Sequence, residues 1–230
     1  MAIKLTWLGH SAFSLDIDGH NVLIDPYLSG NPLAPAAHES LSPELILLSH
    51  AHGDHLGDTV AIAKRTGAPV VTNFEIASWM ENRGVAVTHG MNTGGQMDFD
   101  FVTVKLTIAY HSSSFPDGSY GGMPHGFIVT AADSGLRLYY AGDTALFSDM
   151  AMYGDERIDV AFLPIGDYFT MGIADSLRAI QLIRPRYVVP MHYNTFPQIV
   201  QDPSHWANRI TNETDATPIV LDPGGSFTVE

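Results

Sequence analysis

Within six positions, His50-Ala51-His52-Gly53-Asp54-His55 offers four side chains able to ligate a metal, directly after the apolar run Leu45-Ile46-Leu47-Leu48. No other feature of the chain restricts its fold as strongly. A buried strand must deliver its end to this loop, and further elements must converge on it. In an extended stretch, residues two apart face the same way, so His50 and His52 can grip one cation together. Gly53 then lets the backbone turn and present Asp54 and His55 to a second. A helix expected from about Thr59 would bring its positive N-terminal end near the place where an anionic ligand or hydroxide sits.

One loop cannot complete the coordination of a divalent cation, so further ligands must come from rigid positions elsewhere. Three candidates stand just past the end of an apolar run. His111 follows an alternating stretch in which Val102, Val104, Leu106, Ile108 and Tyr110 point one way and Thr103, Lys105 and Thr107 the other. Asp143 follows residues 136–141 through Gly142, and His192 follows residues 187–191. Loops held by a stiff sheet are where sites are commonly built.

The rest of the chain fits one domain spanning residues 1–230, with 45% hydrophobic residues to form a core. Strands are expected at residues 3–8, 12–17, 22–24, 45–48, 70–71, 102–110, 126–130, 136–141, 160–163, 187–190 and 219–221. Helices are expected at 59–65, closed by Gly67, at 75–82, ending at Gly84, at 174–183 and at 204–210. Strands outnumber helices in a mixed order, an α+β pattern, and no internal repeat is evident. With no cysteine, any metal must sit among imidazole and carboxylate groups. Eleven Lys+Arg against 25 Asp+Glu give a formal charge of -14, which argues against a nucleic-acid partner. Bound cations would still make a pocket locally positive, so a small anionic substrate remains compatible. No apolar stretch reaches the length of a membrane span, and residues 1–8 read as a strand rather than a signal peptide, so the expected location is cytoplasmic.

His50-x-His52-x-Asp54-His55, then His111, then Asp143 in Ala-Gly-Asp-Thr, then His192 in Pro-Met-His-Tyr, resembles the ordered motifs of the metallo-β-lactamase superfamily. Gly9-His10-Ser11 is similar to an early motif of one branch, which holds metal-dependent hydrolases and L-ascorbate-6-phosphate lactonases. The resemblance implies a four-layer αββα sandwich with two divalent metal ions at one edge. It places His50, His52 and His111 on the first metal, Asp54, His55 and His192 on the second, and Asp143 between them. Zinc is the default ion, with manganese and iron as alternatives. The implied chemistry is hydrolysis by a hydroxide shared between the cations.

Asp54, Asp143 and His10 are thus the candidate catalytic residues. His10 either meets substrate at the metal centre or supports the ligands by a hydrogen bond. Asp25 either fixes a ligand histidine or starts a turn, and His125 either overhangs the pocket or is structural. Asp167 stands where the same branch suggests a second glycine, and is read as adjacent to the site or as a helix cap. The leading function is a small-molecule hydrolase acting on an ester, lactone or phosphorylated compound. The alternatives are a phosphodiesterase or nuclease using the same metals, and a metal-dependent binding protein without catalysis. Trp79, Met80, Phe115 and Tyr120 are the places to seek a homo-oligomer interface.

Overall fold

A computed structural model describes residues 2–230. The chain opens as a meander of β1 (Ile3–Trp7), β2 (Phe13–Ile17) and β3 (His20–Ile24). Asp18 and Gly19 join the last two with left-handed φ of 52° and 95°, the turn geometry that suits the natural twist of a hairpin. Three strands then add in parallel: β4 (Leu45–Leu47), β5 (Val70–Asn73) and β6 (Thr88–Met91). Their crossovers carry α1 (Gly53–Leu56), α2 (Thr59–Thr66) and α3 (Phe74–Glu81). Gly67 ends α2 at φ 77°, and the Asn73 side chain caps α3 by accepting from the Ile76 N–H.

The second half repeats this plan. An antiparallel meander of β7 (Gln96–Asp98), β8 (Val102–Ile108), β9 (His125–Ala131) and β10 (Arg137–Tyr140) leads into parallel β11 (Val160–Pro164), β12 (Tyr187–Met191) and β13 (Thr217–Pro218). The helices here are α4 (Met150–Gly154), α5 (Ile173–Ile183) and α6 (Pro203–Glu213), and β14 (Ser226–Val229) returns to pair with β1. Two seven-stranded sheets result, ordered β14-β1-β2-β3-β4-β5-β6 and β13-β12-β11-β10-β9-β8-β7.

Burial explains the long apolar runs. In β3 and β4, Val22, Ile24, Leu45 and Leu47 join the core shared with the second sheet, including Val104, Leu106, Phe127 and Val129. Leu23, Ile46 and Leu48 turn the other way, onto Ile62, Ile76 and Met80 of α2 and α3. Strands covered on both faces read as continuous hydrophobic segments. On the far side, Leu177, Ile180, Ile183, Trp206 and Ile210 of α5 and α6 complete the fourth layer.

Some expectations require correction. The alternation after residue 102 holds only to Leu106; Thr107 is then buried, Ile108 half-buried and Tyr110 exposed, because β8 stops at Ile108 and the chain leaves the sheet. Residues 219–221 are not a strand: pairing with β12 covers only Thr217–Pro218, with one further bond from Ile219 N–H to the Val188 carbonyl. Met80 and Phe115 belong to the core beneath the first sheet, so neither can form an interface between copies. Trp79 stacks on Phe115 at 4.2 Å and is covered by Arg83. Among the described residues, no helix is long and apolar enough to cross a membrane.

Candidate metal centre

Strand ends deliver the cluster. β4 leads to His50 and His52, and α1 carries Asp54 and His55 on its first turn. The turn therefore comes from the short helix α1 beginning at Gly53, and the helix expected from Thr59 follows it as α2. Gly53 itself has no left-handed φ, and a Cβ there would meet only Pro116 Cγ at 3.8 Å, so it does not create the turn. His111 lies beyond β8, Asp143 beyond β10 and His192 beyond β12. Gly142, at φ 64°, is required for Asp143 to swing inward: an added Cβ would sit 2.8 Å from the His125 carbonyl oxygen.

The structure brings six of the seven predicted ligands together in two groups, with the seventh, Asp143, beside both. Ligating atoms of His50, His52 and His111 lie within 4.8 Å of one another, and so do those of His10, Asp54, His55 and His192. Asp143 reaches both groups. Its Oδ1 is 3.3 Å from His55 Nε2, and its Oδ2 is 2.9 Å from His192 Nε2 and 3.6 Å from His111 Nε2. Asp143 Oδ1 and His55 Nε2 face each other at 3.3 Å and have no other partner in the buried centre. Without the His55 proton the two would be left unpaired, which is costly in a dry interior, and a cation among them would satisfy them. The donor set of imidazole nitrogen and carboxylate oxygen fits a divalent ion.

Electrostatics prepare the same groups. Burial holds the pKa of His50, His52 and His111 below the ordinary imidazole value, leaving neutral rings with a free lone pair. Burial would raise the pKa of Asp143, but His192 and His55 outweigh it and hold the carboxyl well below its usual range. Burial opposes the imidazolium of His55 too; Asp143 and then Asp25 overcome it, and its pKa lies well above the ordinary value.

Asp25 is the support that the sequence left open between two roles. It is fully buried at the end of β3 with φ 43°. Its Oδ1 accepts the Ser49 N–H at 2.7 Å, and its Oδ2 accepts from Ser49 Oγ at 2.5 Å and Tyr140 Oη at 2.7 Å. Oδ2 also lies 2.7 Å from His55 Nδ1, which places that proton on Nδ1 and turns Nε2 to the centre. Ser49 Oγ, 3.0 Å from His50 Nδ1, does the same for His50. Left-handed φ recurs at His10 (55°) and His192 (56°). Such backbone strain clusters at functional sites, and here the His192 N–H donates to the His10 carbonyl at 3.1 Å.

Two other candidates lie elsewhere. His125 is no loop residue over the pocket: it is the first residue of β9, 1% exposed, packed on Phe127, and burial lowers its pKa to about 4. Asp167 is exposed and outside the cluster, and α5 has no side-chain cap. It occupies a left-handed position, φ 71°, which is the backbone reason a glycine suits that place.

A histidine-carboxylate cluster at one edge of two sheets packed between helices defines a metal-dependent hydrolase architecture. The family model described as "Beta-lactamase superfamily domain" matches residues 4–192. A UPF0173 metal-dependent hydrolase of Thermus thermophilus is 49% identical over 222 residues, covering 96% of this chain and 97% of its own length. Its counterpart in Bacillus thuringiensis is 48% identical, covering 99% and 100%. The solved structure of Igni18, a metallo hydrolase from Ignicoccus hospitalis, superposes with a TM-score of 0.91 at 38% identity, covering 100% of this chain and 99% of that one. The chain belongs to the metallo-β-lactamase superfamily and is a metal-dependent hydrolase.

Proposed function

We propose that His50, His52 and His111 hold one divalent cation, that Asp54, His55 and His192 hold a second, and that Asp143 is shared. The protein would use them to hydrolyse a small-molecule ester, lactone or phosphorylated compound. The reach of Asp143 into both groups carries this reading. Cations held there supply a water whose pKa falls from about 15.7 to roughly 7 and polarise the oxygen under attack. Zinc fits the donors, with manganese and iron as the alternatives.

The residues divide the remaining work. Asp54 is the cluster carboxylate that reaches solvent, with 27% of its side chain exposed, so the oxygen not turned to the cation can orient a water. His52 and His111 form a half-buried rim, and Tyr27 and Phe196 pack edge-on against His10 at 5.8 and 5.4 Å. Substrate would enter between this apolar wall and the imidazole rim. Ion pairs and hydrogen bonds of lysine and arginine among the described residues go elsewhere, such as Lys105 to Glu156, Arg184 to Asp155 and Arg209 to Glu213. That supports a small molecule over a nucleic acid, whose backbone needs several cations.

Turnover by zinc- or manganese-loaded protein of lactones, carboxylic esters and bis(p-nitrophenyl) phosphate tests the ranking. Lactone or ester hydrolysis is expected to be fastest; faster phosphodiester cleavage would move the function to that class. Two bound metals with no turnover of any substrate would favour a binding protein.

Metal loading should also release protons. At pH 7 the metal-free site carries its proton on His55, wedged between Asp143 and Asp25, while His50, His52 and His111 are already neutral. Loading at pH 7 should therefore release protons, the one on His55 among them. The apparent affinity should climb about tenfold per pH unit up to the folded pKa of His55 and flatten above it. Calorimetry in buffers of different ionisation enthalpy reads the number; no net release would contradict the charge state assigned to His55.

A further inference from the structure

His10 is the histidine of the cluster to which this assignment gives no cation, and it is completely buried. Its backbone is fixed by its carbonyl, which accepts from Trp7 Nε1 at 2.9 Å and from the His192 N–H at 3.1 Å. The ring is fixed as well. His10 Nδ1 lies 2.8 Å from Thr195 Oγ1, and that hydroxyl donates to the Tyr193 carbonyl at 3.3 Å. We assign the hydroxyl proton to the Tyr193 carbonyl, so that the hydroxyl accepts from Nδ1 and Nε2 presents a lone pair; the reverse tautomer would turn an Nε2–H toward Asp54.

That lone pair faces Asp54 Oδ2 at 3.3 Å, and Nε2 is buried without a hydrogen-bond partner. An acceptor facing a carboxylate across a dry gap is unfavourable unless something positive lies between them. Donor atoms of Asp54, His55 and His192 lie with one from His10 inside one mutual 4.8 Å limit.

We propose that His10 Nε2 is a direct ligand of the second cation, beside Asp54, His55 and His192. The inference rests on the two-cation reading above. With Asp143 shared, the second position then has five protein ligands and the first has four, His50, His52, His111 and Asp143. The first position is left as the more open one for substrate. Thr195 is a positioning residue that sets the tautomer of His10.

Titration of the metal-free protein with cobalt(II), read by equilibrium dialysis and by the visible absorption of the bound ion, tests this. Wild type should bind two equivalents. His10→Ala and His10→Asn should keep the first and bind the second about 100-fold more weakly. The absorption of that second cobalt should change with its lower coordination number. Thr195→Val should weaken it about tenfold without removing it. Asparagine retains an N–H donor for Asp54, so an H10N protein matching wild type in stoichiometry, affinity and spectrum would overturn the inference and leave the two-cation reading intact. Wild type binding fewer than two cobalt ions would instead overturn the two-cation reading. Circular dichroism checks folding, and if His10→Ala does not fold, His10→Asn and Thr195→Val decide.

Discussion

Asp143→Ala is expected to lose both metal and turnover, with kcat/KM falling by about 10³-fold or more. Asp143 lies within 3.6 Å of Nε2 atoms of His55, His192 and His111, and so reaches both proposed cation positions. It is only 3% exposed, and its anionic form survives burial because of its imidazole neighbours. On the proposed assignment, its loss takes from the cations their common ligand and the negative charge that offsets their own. Elemental analysis should find fewer than two metals per chain. A folded variant with full metal content and wild-type rate would contradict the role given to Asp143.

Asp25→Ala should have the largest effect on stability, about 3–5 kcal/mol, the range for breaking a buried charged pair by removing one partner. The substitution strands the Ser49 N–H, the Ser49 and Tyr140 hydroxyls and His55 Nδ1 in a region fully closed to solvent. Burial, and then the carboxylate of Asp25, push the Tyr140 hydroxyl well above its usual pKa, so it stays a donor in need of an acceptor. Metal affinity should fall about 10- to 100-fold as well, because His55 is no longer aimed. Urea unfolding of the metal-free protein separates the two effects. A stability within about 0.5 kcal/mol of wild type, the range of a neutral surface change, would show that Asp25 merely starts a turn.

The histidine-carboxylate cluster is legible in the sequence because its side chains are chemically conspicuous and stand at the ends of strongly apolar strands. Residues 45–48 and 187–191 announce themselves as buried, so His50 and His192 could be placed at their ends. The support around them was less legible. Nothing local to Asp25 marks it as the acceptor for Ser49, His55 and Tyr140, since those partners lie 24 to 115 positions away. The Asp25-Pro26 pair after an apolar run was the available signal, and it suits a turn equally well. Likewise Thr195 meets His10 from 185 positions away.

The fold shows the same division. Strands β3 and β4 were found because both faces are covered, whereas β6, β7 and β14 are partly exposed and carry little apolar periodicity. The repeated plan of the two halves, a meander followed by parallel strands, exists in the pairing order and leaves no repeat in the residues. Met80 and Phe115 show the opposite limit. Large apolar side chains suggest a contact surface or a core with equal force, and only the packing of α3 and the 115–120 loop against the first sheet decides for the core.

Crystals grown with zinc and measured on both sides of its absorption edge would test the central claim most directly. Two anomalous peaks are expected about 3.5–4 Å apart, one among His50, His52 and His111, the other among Asp54, His55 and His192, with Asp143 touching both. A single peak, or zinc bound away from these residues with Asp143 contacting none, would contradict it.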